Sequence, residues 1–260
     1  MATKKTETTE EVSTKRMIIP SITYGQMECT ITGDKLVTHR YANKAMHEML
    51  DNQITIKNKT TKIRKPKDPM QDFVDGLYVI EPKTMTVVGE FTLDMVYQME
   101  FGVFIKSKEE GEIELSEGES VPAVRAMGRF GFPAIGFKSA LATACAEFHR
   151  WKTAVHRNVR IPMELIEIEC EGGPVMRMDM VRLRGQSGVT TDLRFRPEFR
   201  NWKAKVIIQY NKSTFSDDDI LRLVRYAGMS IGLGEWRAEK GGLWGSFQCG
   251  YAAKLGDIEL

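Results

Sequence analysis

The sequence predicts an α+β protein organised around an antiparallel sheet, on three observations. Residues 175–183 and 202–210 alternate apolar and polar side chains with a period of two, as strands with one buried face do. Residues 137–151 and 220–227 repeat apolar side chains every three or four positions, as amphipathic helices do. Strand patterns separate the two helical ones, which fits a ferredoxin-like core carrying insertions.

In chain order, residues 1–16 are rich in Thr, Lys and Glu and read as a disordered tail ahead of a single α+β domain over 17–260. Residues 17–23 are a short apolar strand candidate. Residues 34–50 read as a helix, with Ala42, Ala45, Met46, Met49 and Leu50 on one stripe and Asp34 as its cap. Insertions are expected around 51–70, which holds a basic run, and around 106–121, an acidic stretch punctuated by glycine. Between them, strands fit 77–80, 87–96 and 101–105. Residues 122–136 read as a glycine- and proline-bearing loop that feeds the helix 137–151, where small alanines permit close approach to a sheet. Residues 159–168 read as a strand with Pro162 near an end. Within 202–210, Trp202, Ala204, Val206, Ile208 and Tyr210 share one face, and Lys203, Lys205 and Gln209 the other. The second helix has Ser216 at its N-cap, Asp219 at N3, and Phe215 and Ile220 at the staple positions; Gly228 is expected to end it.

An apolar fraction of 42% and a charged fraction of 28% over 260 residues suit a chain that buries a sizeable core. No apolar run is long enough to predict a membrane span, and the opening MATKKTETTEEVSTKR lacks an apolar signal core. A cytoplasmic protein is therefore expected, in the host cytoplasm for a viral chain. Cys29, Cys145, Cys170 and Cys249 form no CxxC pair, so buried thiols are expected in place of a zinc ribbon. The net charge of +2 announces no polyanionic partner. Its distribution is more informative, because residues 57–67 carry bases and no acid, and residues 177–205 carry eight bases against three acids.

Three segments carry candidate chemistry. Residues 182–205 interleave Arg184, Arg194, Arg196, Arg200 and Lys203 with Phe195, Phe199 and Trp202. Cations neutralise phosphates while flat rings stack on unpaired bases, so the pattern suits single-stranded nucleic acid; a solvated strand face explains it equally. Ahead of the first helix, Arg125, Arg129 and Lys138 accompany Phe130 and Phe132. A helix N-terminus there suits a phosphate, and a structural loop whose rings staple the helix is the alternative. The glycine-rich segment 232–250 adds Trp236, Arg237 and Lys240. Its glycines allow close approach to a phosphate, or simply a tight hairpin with tryptophans in the core.

No enzyme motif is complete. GLGEW lacks the full GxGxxG pattern, and no GK[ST], HExxH or GxSxG occurs. Asp217, Asp218 and Asp219 suit a helix start better than Mg²⁺, and His149 and His156 have no evident carboxylate partner. No catalytic residue, metal or cofactor is expected.

Two of these segments, FPAIGFKSALATA at 132–144 and SIGLGEWRAEKGGLWGSF at 230–247, resemble the RAMP superfamily, the RNA-binding proteins of CRISPR effector complexes that include backbone subunits of the Cas7 type. Ala134 and Ile135 stand where many of those proteins carry serines. The resemblance implies a ferredoxin-like (RRM-like or RAMP-like) core, single-stranded RNA or DNA along a positive groove, and head-to-tail oligomers. It singles out Lys138 and the loop 232–245. The expectation is thus a non-catalytic, largely sequence-independent binder of single-stranded nucleic acid, in a homo-oligomer or multi-subunit complex. A viral structural or assembly protein that engages protein partners, and a nuclease, remain open beside it.

Overall fold

A computed structural model of the chain describes residues 21–40, 46–47, 49–50, 66–91, 114–115, 119–120, 124–148, 151–185 and 188–259. In chain order these form strand β1 (Thr23–Val37), helix α1 (Pro69–Asp75), and strands β2 (Thr86–Val88), β3 (Glu114–Leu115), β4 (Glu119–Ser120), β5 (Arg125–Met127) and β6 (Phe130–Pro133). Helices α2 (Ala134–Glu147) and α3 (Lys152–Asn158) follow, then strands β7 (Val159–Arg160), β8 (Leu165–Glu169), β9 (Val175–Gly185) and β10 (Gly188–Asn211). Helix α4 (Asp217–Tyr226) and strand β11 (Gln248–Glu259) complete the order. The fold is mixed α+β, and every strand pairing among the described residues is antiparallel.

The long strands carry the core. β1 pairs with β10 on one side and β11 on the other, and β8 flanks β10, which sets four strands in the order β11-β1-β10-β8. In the chain, α2 lies between β1 and β8, and α4 between β10 and β11. Both helices bury their apolar stripes in one core: Phe137 and Leu141 from α2, and Ile220, Leu223 and Val224 from α4, join Cys29, Ile31, Trp202, Val206 and Ile208. Phe247, just ahead of β11, closes this layer with its ring 5.9 Å from Phe137 and 6.3 Å from Trp202. Each such side chain contributes about 1.5–3 kcal/mol by leaving water.

The alternation of 202–210 holds as read: its even positions are buried, while Lys203 and Lys205 are exposed. α4 also starts as its residues require. Ser216 Oγ accepts from the Asp219 N–H at 3.1 Å, and the Asp219 carboxylate accepts from the Ser216 N–H at 3.0 Å. This capping box satisfies two N–H groups that the helix leaves open.

Other elements differ from the sequence reading. Residues 34–37 belong to β1 and not to a helix capped by Asp34, because Lys35, Leu36 and Val37 pair with Arg200, Phe199 and Glu198; a central sheet position overrides local propensity. Met46, His47, Met49 and Leu50 are helical, while the rest of 41–50 lies outside the described residues. So do the tail 1–16, the strand candidates in 92–105 and much of both insertions. The expected loop 122–136 contains β5 and β6, and α2 begins at Ala134 instead of Phe137. Within 77–80 there is a single bridge, Val79 to Phe130. Residues 161–164 separate β7 from β8 around Pro162. Gly228 does not end α4: a π-helical turn, Ala227–Ile231, carries the chain on to Gly232. Among the described residues, no helix is long and apolar enough to cross a membrane.

Candidate nucleic-acid interface

The base-rich strands β9 and β10 meet first in a charge cluster. Their register sets Arg196 directly opposite Arg177 and Arg194 opposite Asp179. Two guanidinium groups side by side repel unless carboxylates separate them. Arg177 donates from Nε to Asp179 at 2.8 Å and from Nη1 to Glu198 at 2.7 Å. Arg196 donates to the other Asp179 oxygen at 2.6 Å and to Glu235 at 3.3 Å, and Arg200 donates to Glu198 at 2.7 Å. Glu198 is fully buried. Burial alone would raise its carboxyl, but the bonds from Arg177 and Arg200 outweigh it and hold the group below the usual carboxylate range. From Phe195 to Phe199 every residue is buried, so both faces of β10 are covered there.

The glycine-rich loop between α4 and β11 caps this cluster. The Arg177 guanidinium lies 4.0 Å from the centroid of the Trp244 ring, and Trp236 lies on Trp244 at 5.0 Å between centroids. A cation on an indole face is an attractive contact, stronger where water is excluded. The result is a chain of contacts that starts on a buried arginine, passes through Trp244 and ends on Trp236, which is 56% exposed. Trp236 has φ of +50°, a left-handed conformation that costs a side-chain-bearing residue about 1–2 kcal/mol. Its carbonyl accepts from the Trp244 N–H at 3.1 Å, which fixes the turn. The loop also takes the edge of β1 beyond β11: the Gly245 N–H donates to Lys35 at 2.7 Å, and the Glu235 N–H to Val37 at 2.9 Å. Only glycine fits at 245, where φ is +73° and a Cβ would fall on the Leu233 carbonyl.

Between this loop and the start of α2 is a cleft of about 360 Å³. Tyr78, Phe132, Gly136, Ser139 and Thr143 form one wall, and Gly232, Glu235, Arg237 and Glu239 the other. Burial pushes the Tyr78 phenol up, with Arg40, 5.7 Å from the ring centroid, acting against it. The acids are engaged, Glu235 with Arg196 and Glu239 with Arg237 at 2.7 Å.

Further along β10 the arrangement is open. Lys205 pairs with Thr30, which on its other side pairs with Tyr251; Lys203 pairs with Thr32, which pairs with Gln248. Directly opposed residues share a face, so Tyr251, Thr30 and Lys205 form one row across three strands. Lys203, Lys205 and Tyr251 are exposed.

The structure therefore divides the expected site residues. Lys203, Trp236 and Lys240 face solvent, though Lys240 stands 3.7 Å from Glu239. Arg237 is held by Glu239 and by the Gly234 carbonyl. Arg194 lies 3.6 Å from Asp192. The side chain of Arg184 lies outside the described residues, as does His149. Arg196 is buried and pairs with Asp179 and Glu235, a correction to its reading as a phosphate ligand, while Arg200 bonds Glu198 through Nε and stays partly exposed. Arg129 is clamped by Glu167 at 2.7 Å and by Glu81, and Lys138 makes a local bond to the His156 carbonyl at 3.0 Å. Arg125 is half-buried in β5.

The expected stackers Phe130, Phe195, Phe199 and Trp202 are core residues, and Phe132 is buried at the cleft wall. Phe199 packs edge-on to Phe130 and Phe195 edge-on to Phe91, leaving no ring face for a base. Segments 194–205 and 232–247 thus converge, and 125–138 meets the loop at the cleft and through the packing of Phe137 on Phe247. Sequence reasoning missed Arg177 and Trp244 as the foundation of the stack, and Tyr251 as an exposed ring.

No protein-family model matches the chain, and no curated protein is significantly similar to it.

Proposed function

We propose that this protein binds single-stranded nucleic acid without catalysis and with little sequence preference, as a head-to-tail oligomer. The observation that carries the reading is the Trp236 stack. An indole held in a strained turn, tilted by 36° against a second indole that rests on a buried arginine, offers its exposed side to a base at little ordering cost. Every base has a π-face, so such a platform is tolerant of sequence. Lys203 and Lys205 supply phosphate contacts from the same strand that carries Arg196 and Arg200, and Tyr251 offers a second ring. That partner implies a cytoplasmic location, the host cytoplasm for a viral chain.

The strand order β11-β1-β10-β8, with one helix after the first strand and another after the third, supports reading the core as ferredoxin-like and divergently RAMP-like. Exposed Trp151 and Met180, on separate elements, favour contacts between different surfaces of successive copies. The same side chains favour the second reading, a structural protein that assembles through protein contacts alone.

Fluorescence anisotropy with labelled oligo-dT and oligo-U, at low and moderate salt, tests the proposal. Micromolar binding that weakens steeply with salt is expected, and Trp236→Ala should cost about 1–3 kcal/mol of it. Absence of salt-sensitive binding, together with large assemblies that survive nuclease treatment, would establish the second reading instead.

A further inference from the structure

Cys29 and Cys249 sit on neighbouring antiparallel strands. β11 places Cys249 opposite Ile31, and Cys29 stands two residues along β1, on the face it shares with Ile31. A register shift between Thr30 and Ile31 leaves Gly250 as the extra residue of β11, with open space where a Cβ would be. The backbone there can adjust, as bulges do. The two side chains are close enough for each thiol to act on the other, and Cys249 Sγ lies 3.6 Å from the Tyr251 carbonyl oxygen.

Their surroundings are unequal. Cys29 is fully buried, whereas Cys249 is half-buried on the edge strand. The neighbouring Cys29 thiol, aided by the charge of Arg225, brings the Cys249 thiol down to about 7 against the effect of burial. The same contact and burial push Cys29 up. A half-buried thiol of lowered pKa beside a protonated one is the pairing of an attacking and a resolving cysteine. Of the other thiols, Cys145 is buried, and burial pushes Cys170 up to about 11.

We propose that Cys249 and Cys29 form an oxidative modification site, at which a hydroperoxide oxidises Cys249 and Cys29 then closes a reversible disulfide between β11 and β1. In the first step the Cys249 thiolate attacks hydrogen peroxide. A sulfur–oxygen bond forms, the oxygen–oxygen bond breaks, and the departing hydroxide takes a proton to become water. In the second step the Cys29 sulfur attacks the sulfenic sulfur. A disulfide bond forms, the sulfur–oxygen bond breaks, and the hydroxyl leaves as water with the Cys29 proton. Two thiols are oxidised, one peroxide is reduced, and two waters are released. The link ties the start of β11, next to Phe247, to the middle of β1.

The test is peptide mapping of the full chain, without reductant, after treatment with a small excess of hydrogen peroxide and alkylation of the remaining thiols. The expected product is a single intramolecular Cys29–Cys249 cross-link, with Cys145 and Cys170 alkylated and full reversal by dithiothreitol. Cys29→Ser should instead leave a Cys249 sulfenic acid that dimedone traps, and Cys249→Ser should abolish both products. Because Cys29→Ser disturbs the core, the wild-type protein supplies an independent readout: Cys249 alkylation should reach half its maximal rate near pH 7. Peroxide treatment that yields only intermolecular disulfides or over-oxidised Cys249, or an alkylation midpoint at or above that of an ordinary thiol, would overturn the proposal.

Discussion

Along β10, Arg196 and Arg200 meet carboxylates, whereas Lys203 and Lys205, a few residues on, meet solvent. The two stretches have similar composition and the same secondary structure. The difference lies in what crosses them. Trp244 and its loop seal Arg177 and the residues around it, where a lone charge is costly and each guanidinium needs a carboxylate. Nothing among the described residues covers Lys203 and Lys205, so their charges stay in water and remain available to a polyanion. A base-rich strand is thus part structural cement and part candidate binding surface, and burial separates the two.

The largest effect should come from Glu198→Ala. It strips Arg177 and Arg200 of their shared carboxylate and should destabilise the protein by about 3–5 kcal/mol in urea denaturation. An unchanged midpoint would break the claim that the cluster is structural. The pH dependence follows with its sign. The folded Glu198 carboxyl is held below its unfolded value, so its contribution is complete above the ordinary carboxylate pKa and is lost as pH falls through the lower, folded one. Glu198→Ala should flatten that acid limb.

Gly245→Ala should cost about 1–3 kcal/mol or more, since it strains the loop that seals the cluster. Intrinsic tryptophan fluorescence should report loosening of the Trp236–Trp244 pair. The double variant Lys203→Glu, Lys205→Glu should leave the urea midpoint within about 0.5 kcal/mol. It should weaken oligonucleotide binding and make the log–log salt slope shallower by about 0.7 for each phosphate that is no longer neutralised. The smallest effect belongs to Arg129→Ala: its ion pairs with Glu81 and Glu167 lie at the surface, and neither the denaturation midpoint nor binding should move measurably.

Local patterns were legible where one physical term dominates. The capping box at Ser216 and Asp219 depends on four neighbouring residues, and the alternation of 202–210 on a single buried face, so both could be read directly. β11 was hidden because Gly250 and Gly256 interrupt Gln248–Glu259 and its pairing with β1 shifts register twice, as an edge strand can when only one side is paired. The stretch 34–37 was misread for the opposite reason: its helical continuation was local, while its strand partners lie far away on β10. For the candidate site, Trp236 and Lys203 were found by residue type. Phe195, Phe199 and Trp202 were found by the same rule and belong to the core, because an aromatic residue next to a base reads alike whether it faces bases or other side chains.

The sequence by itself determined that strands and helices alternate around an antiparallel sheet, where α4 starts, and that cations and rings concentrate in particular segments. These follow from periodicity and capping, which act over a few residues. Only the tertiary structure decided which arginines are neutralised, which rings are buried, and that Arg177, Trp244 and Trp236 stack. Those outcomes depend on strand register and on a loop returning to a distant strand, and neither is encoded in local spacing.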